Sequence, residues 1–185
     1  MHTYLKNESI LAEGIHSFTN IGFVDIMEDI NASVENGSRS WMHLDNNIDA
    51  PEVIQFFETD EDPYIYHKIY DTFIEYEKQF LKEYSTKNYG IEYSNCEKLY
   101  ILKYSPGMHG EHHFDDLVDG KTRRVSMVYY PNNNYTGGEI EFPRFNIKIK
   151  PEKDQVLVFP ANFVHEHIIS SVKEGTRYII GGFFY

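Results

Sequence analysis

The sequence predicts an α+β fold, a β-sandwich or barrel with helices covering one sheet, and three observations lead there. Before about residue 96, apolar residues recur at helical spacing. After it, they fall into short runs rich in β-branched and aromatic residues, separated by turn signals. The length, 185 residues, suits one well-packed domain and is short for two. The expectation is one domain over 1–185, with 1–96 as mainly helical support and 97–185 as the β-rich part.

The elements follow in chain order. Phe23, Ile26, Ile30 and Val34 lie on one helical face, with Thr19 or Asn20 as N-cap and Asn36-Gly37 as the stop. Pro51 opens a short helix through Phe57, proline being tolerated at the first helical position. A longer helix runs from about Pro63 to Tyr84, its stripe formed by Tyr66, Ile69, Phe73, Tyr76, Phe80 and Tyr84. Seven strands are expected over 99–104, 124–130, 138–142, 145–150, 155–159, 164–169 and 176–184. Ser105-Pro106-Gly107, Asp119-Gly120, Asn132-Asn133-Asn134, Gly137-Gly138 and Lys153-Asp154 separate them. The Gly-, Pro- and Asn-rich loops 105–121 and 131–137 read as flaps.

Composition narrows the function. Cys96 is the sole cysteine, so no internal disulfide forms and a reducing, cytoplasmic setting is expected. Met1 to Ile10 lacks a basic stretch followed by an apolar run, and no apolar run is long enough to span a membrane. The net charge of −12 lies wholly in residues 1–96, which carry 18 acidic and 6 basic side chains; residues 97–185 balance at 11 and 11. Such a surface repels phosphate backbones, which argues against nucleic acid as partner. It reads as a solvated face or as a dock for a basic partner. Fifteen Tyr and 13 Phe favour strands and a pocket lined with aromatic rings.

The chemistry concentrates at His113-Phe114-Asp115. In an extended segment, residues i and i+2 face the same way, so one imidazole and one carboxylate can meet one ion. A third ligand from a distant strand would complete a facial two-His, one-carboxylate site with three open positions. The motif alone is weak, because the chain holds a second copy, His43-Leu44-Asp45, which reads as a surface turn or cap. Context separates them. Around His113 stand Tyr104-Ser-Pro-Gly107, the run Arg123 to Tyr130, Gly137-Gly138-Glu139, Phe142-Pro143, Phe159-Pro160, His165-Glu-His167 and Gly175-Thr-Arg177-Tyr178.

In the order and spacing of these pieces, from about Leu99 to Tyr185, the chain resembles the prolyl 4-hydroxylase-like branch of the 2-oxoglutarate/Fe(II)-dependent dioxygenases. The resemblance implies a double-stranded β-helix, or jelly roll, with the helical layer packed on one sheet. It implies His113 and Asp115 as metal ligands. The third His normally lies ten residues before a basic residue that anchors 2-oxoglutarate, and counting back from Arg177 gives His167. His165 has the same strand parity, and alternation does not choose between them. His112 should face away.

Arg177 shares a strand face with Ile179, Gly181 and Phe183, where a charge is costly unless an anion meets it. That anion is the cosubstrate's far carboxylate or, on the structural reading, a protein carboxylate. The resemblance adds Tyr130 as a hydroxyl donor. Many relatives carry Tyr where this chain has Gly110, and Tyr104 or His109 stands as the substitute. Ser171 replaces a usual proline. The implied reaction is hydroxylation of a prolyl residue in a protein or peptide, with a basic flank, yielding succinate and CO2. The implied requirements are Fe(II), 2-oxoglutarate as cosubstrate and O2, with ascorbate as a further candidate. Two other classes stay open: an oxygenase of a free amino acid or small metabolite, and a non-catalytic cupin-like metal-binding module.

Overall fold

The structure is a computed structural model, and it describes residues 8–19, 21–22, 27–35, 40–44, 47–55, 71, 84, 99–118 and 121–185. The strands, in chain order, are β1 (Glu8–Ala12), β2 (Ile15–Thr19), β3 (Met42–His43), β4 (Glu52–Gln55), β5 (Tyr100–Tyr104), β6 (Gly110–His113), β7 (Leu117–Val118) and β8 (Lys121–Thr122). They continue with β9 (Val125–Tyr130), β10 (Thr136–Gly137), β11 (Ile140–Phe142), β12 (Ile147–Ile149), β13 (Gln155–Pro160), β14 (His167–Ile169), β15 (Val172–Glu174) and β16 (Arg177–Phe184). One helix, α1 (Met27–Glu35), is described in full.

A large sheet in the order β1-β2-β13-β9-β16-β5-β4-β3 faces a smaller one, β12-β11-β14-β6. Period-two alternation explains how one set of strands serves two cores. On β9, Val128 and Tyr130 enter the core between the sheets, while Met127 and Tyr129 enter the core behind the large sheet. Leu157 and Phe159 against Val156 and Val158 repeat the division on β13. Ile140, Phe142 and Ile169 of the small sheet close the inner core. Ile30 of α1 and Tyr84 belong to the outer core, and the Tyr84 hydroxyl donates to the Gly14 carbonyl at 2.7 Å.

All seven strands expected after residue 96 are present, most of them shorter than read. The segment 164–169 is corrected: Phe163–His165 form a 3-10 turn, because the Asn162 side chain accepts from the Val164 N–H, and the strand starts at His167. The mainly helical reading of 1–96 is also corrected in part. Glu8–Ala12 and Ile15–Thr19 form a hairpin that extends the large sheet, so Thr19 ends a strand and caps no helix. Glu52–Gln55 pairs with β5 in place of the short helix expected from Pro51, because an open sheet edge offers its backbone partners. The expected helix over 63–84 lies outside the described residues apart from Asp71 and Tyr84, both in helical conformation. Among the described residues, no helix is long and apolar enough to cross a membrane.

Candidate metal centre

Strand register assembles the site. β14 pairs antiparallel with β6, and His167 stands directly opposite His113. Their rings lie 4.4 Å apart between centroids. Asp115 follows β6, its N–H donating to the Ala161 carbonyl at 3.0 Å. Its carboxylate reaches both imidazoles, Oδ1 to His113 Nε2 at 3.6 Å and Oδ2 to His167 Nε2 at 4.0 Å. The ligand atoms of the three side chains all lie within 4.8 Å of one another.

Hydrogen bonds settle which nitrogen each ring turns inward. His113 Nδ1 lies 2.6 Å from the Glu111 carbonyl and His167 Nδ1 lies 3.1 Å from the His165 carbonyl. A carbonyl only accepts, so both Nδ1 atoms carry the proton and both Nε2 atoms present a lone pair. Two such lone pairs beside a carboxylate repel unless a cation sits among them, which is the arrangement a divalent metal requires. Burial pushes the His167 imidazole below its ordinary value, with the neighbouring His113 acting the same way and Asp115 opposing. Phe142 and Phe159 wall its ring at 5.6 and 5.2 Å. Burial thus keeps His167 in the neutral form that binds metal. His113, by contrast, is 46 % exposed at the open end.

The other histidines fall elsewhere. His165 packs on Phe145, with Nδ1 3.0 Å from Asn162 Oδ1 and Nε2 3.1 Å from the Glu13 carbonyl. It sits in the 3-10 turn, so strand parity never applied to it. His112 Nε2 lies 3.3 Å from Glu166 on the opposite side of β6. His109 pairs with Glu111 at 3.0 Å. His43 ends β3 in an exposed position, and Asp45 lies outside the described residues. Gly110 pairs with Ile169, whose Cγ1 would lie 2.8 Å from any Cβ at position 110, so this contact leaves no room for a tyrosine.

Arg177 opens β16 opposite Tyr104 of β5. It is wholly buried, and its Nε, Nη1 and Nη2 have no hydrogen-bond partner. Its guanidinium lies 4.6 Å from the centroid of the Tyr104 ring and 5.3 Å from that of Tyr130. The Tyr130 hydroxyl is equally enclosed and equally without a partner. Burial raises the phenols of Tyr104 and Tyr130, with Arg177 opposing, so both remain neutral donors. No protein carboxylate pairs with Arg177 among the described residues. Unpaired donors of this number, each worth about 1–3 kcal/mol when buried unsatisfied, fit a site shaped for an external carboxylate.

Two neighbouring side chains escaped the sequence reading. The Ser126 hydroxyl donates to Asp115 Oδ2 at 2.7 Å and fixes the carboxylate's rotation. Its signal was present: Ser126 lies four residues before Tyr130 on a buried strand, and therefore on the same inward face. Tyr135 is the second, its buried hydroxyl also lacking a partner.

Comparison with known proteins agrees with this geometry. Residues 99–185 match the model of the 2OG-Fe(II) oxygenase superfamily. A candidate prolyl 4-hydroxylase of Acanthamoeba polyphaga mimivirus is 27% identical over 84 residues, 40% of this chain and 35% of that protein, so the match spans about a third of the relative. Among solved structures, the viral collagen prolyl hydroxylase of Paramecium bursaria Chlorella virus-1 in complex with 2-oxoglutarate is 22% identical, with 94% of this chain and 96% of that one covered and a TM-score of 0.65. A Pseudomonas putida prolyl-4-hydroxylase gives 16%, 94%, 92% and 0.70. The prolyl hydroxylase of Trichoplax adhaerens, in complex with a peptide of the hypoxia inducible factor oxygen degradation domain, gives 18%, 94%, 84% and 0.71. The fold is thus that of the prolyl hydroxylases, and residues 99–185, a little under half of the chain, match the 2OG-Fe(II) oxygenase superfamily.

Proposed function

We propose that the protein hydroxylates a prolyl residue within a protein or peptide, with Fe(II) held by His113, Asp115 and His167 and with 2-oxoglutarate anchored by Arg177, Tyr130 and Tyr104. One observation carries this reading. A buried guanidinium without a partner and a buried phenol without a partner stand in the same barrel as three converging metal-ligand side chains. A metal-binding module without cosubstrate would have no use for the first pair.

The iron and 2-oxoglutarate supply the oxidising power, the whole reaction consuming O2 and giving succinate, CO2 and a hydroxylated substrate. The chain's own residues do the rest. His113 and His167 direct Nε2 lone pairs to one point, and Asp115 supplies the negative charge that favours a divalent ion. Ser126 holds one carboxylate oxygen, so Asp115 offers the other towards His113. Arg177 offers a planar fork that grips a carboxylate with two parallel hydrogen bonds, and the Tyr130 hydroxyl adds a third. The inner core around Phe142, Phe159 and Ile179 excludes water from that end.

The relatives support a polypeptide substrate. So does a cavity of about 340 Å3 beside the metal cluster, lined by Leu44, Pro51, Leu102, Tyr104 and His113, with Asp49 and Glu111 also on its wall. Its apolar residues suit a proline ring, and Asp49 suits a basic neighbour, in line with the acidic excess of residues 1–96, whereas Glu111 is already paired with His109 on the same wall. Residues 1–185 act as one unit in this reading, because Phe18, Ile30 and Tyr84 share a core with Ile101 and Ile180. The lone Cys96 favours a reducing cytoplasm.

The test is an anaerobic Fe(II) and 2-oxoglutarate titration followed by turnover on proline-containing peptides. His167→Ala is expected to lose metal binding and succinate formation, while His165→Ala keeps both. Mass spectrometry should find a gain of one oxygen on proline, equimolar with succinate. Faster turnover of free proline than of every peptide would move the substrate to the small-metabolite class.

A further inference from the structure

Tyr135 ends the run Pro131-Asn132-Asn133-Asn134, which by composition reads as a flap. The structure instead pins this run. Asn132 Nδ2 donates to the Thr176 carbonyl and to Asn134 Oδ1, each at 2.7 Å, and its Oδ1 accepts from the Tyr178 N–H at 3.0 Å. Gly175, at φ +76°, takes a backbone conformation open to glycine; a Cβ there would lie 2.6 Å from the Asn134 carbonyl and 3.0 Å from Tyr135 Cα. The run therefore lies flat on the turn that leads into Arg177. Gly138, at φ +65°, lies between the two side chains: a Cβ would meet Arg177 Cδ at 2.8 Å and Tyr135 Cε2 at 3.3 Å.

The outcome is a tyrosine that is 4% exposed, with its hydroxyl enclosed and without a partner. The only other described groups sharing that condition beside it are the Tyr130 hydroxyl and the three nitrogens of Arg177. Every one of them can donate, and although the guanidinium lies close enough to act on both phenols, neither completes a hydrogen bond to it in this geometry. Packing alone would be served better by phenylalanine, because a buried hydroxyl left unsatisfied is destabilising. One carboxylate has about four acceptor positions. The guanidinium fork fills two, and the phenols of Tyr130 and Tyr135 fill the remainder, while Tyr104 helps to anchor the cosubstrate by presenting its ring to the guanidinium.

We propose that Tyr135 is a cosubstrate-binding residue, its hydroxyl donating beside Tyr130 and Arg177 to the distal carboxylate of 2-oxoglutarate, with the Asn132–Asn134 run as its mount. This rests on Arg177 being the anchor of that carboxylate. Tyr135 thereby sets selectivity for a keto acid bearing a second carboxylate.

Calorimetric titration of the Mn(II)-loaded protein tests this, using 2-oxoglutarate and 2-oxobutyrate, which lacks the distal carboxylate. Tyr135→Phe is expected to weaken 2-oxoglutarate about tenfold, the worth of one hydrogen bond to a charged acceptor. It should leave 2-oxobutyrate unchanged, and the thermal midpoint of the cosubstrate-free protein should hold or rise, since an unsatisfied hydroxyl has gone. Unchanged 2-oxoglutarate affinity in Tyr135→Phe, with Tyr130→Phe and Arg177→Ala both weakened, overturns the role of Tyr135 alone. Equal losses for both keto acids also overturn it, because they mean general damage to the site. Unchanged affinity in Arg177→Ala overturns the anchor reading itself.

Discussion

Two carbonyl oxygens, of Glu111 and His165, orient the candidate ligands, because they hold the Nδ1 protons and leave Nε2 free on both rings. Ser126 plays the corresponding part for Asp115, and its removal makes a sharp test. Loss of such an outer contact typically costs about 10–100-fold in metal affinity. Ser126→Ala is therefore expected to weaken Mn(II) binding by about that factor in a calorimetric titration. Ser126→Thr, which keeps the hydroxyl, should restore most of it. An unchanged affinity in Ser126→Ala would mean that the Asp115 rotamer is set by its backbone bond to Ala161. At this scale the i, i+2 spacing singled out His113 and Asp115, and the family resemblance singled out His167 ten residues before Arg177; the structure brings the three side chains together. The sequence was silent on tautomers, since those depend on carbonyls brought up by folding.

At the scale of elements, β11 and β14 hold the small sheet together, and with it the His167 end of the site. Beyond the strand pairing they are joined by a reciprocal contact: the Ser170 N–H donates to the Glu139 carbonyl at 2.9 Å, the Glu139 N–H donates to Ser170 Oγ at 3.0 Å, and Ser170 Oγ lies 2.5 Å from Glu139 Oε2. The Ser170 hydroxyl holds the Glu139 carboxyl below its ordinary range. A carboxyl whose folded pKa is depressed adds stability above its unfolded value and loses it as pH falls. Ser170→Ala should therefore destabilise at pH 7 by about 1 kcal/mol or less, the contact being partly solvated. The gap to the parent should begin to narrow as pH falls past the unfolded value of about 4, and close only once the folded carboxyl, depressed below it, is protonated too. Thermal midpoints of both proteins at pH 7 and pH 3.5 check this, and a gap that stays constant assigns the loss to the backbone bond instead. Three of the strands that eluded the sequence share one physical trait. β6 reads Gly-Glu-His-His, and β10 and β15 are short and partly polar, so no apolar alternation marks them. Their strand form comes from neighbours that supply backbone partners.

Across the whole molecule, a −12 charge confined to residues 1–96 stands beside a neutral barrel. Surface attraction of this kind is screened over about 8 Å at physiological salt. For a basic proline-containing peptide, raising salt should increase KM while leaving kcat nearly constant, and an acidic peptide of equal length should show the reverse trend in KM. Salt-independent KM values for both would reduce the acidic half to solvated surface. By itself the sequence marked the strand-rich second half, the candidate ligand types and Arg177 as a charge on an apolar strand face. Those properties are written in local periodicity and in the cost of burying charge, both of which act along a single segment. Only the tertiary structure decided that residues 8–19 extend the large sheet, that His165 turns away into a 3-10 turn, and that the Asn132–Asn134 run lies fastened beneath Arg177. Each of these depends on backbone donors and acceptors contributed by segments far apart in the chain, and no local pattern records which distant partner will satisfy them.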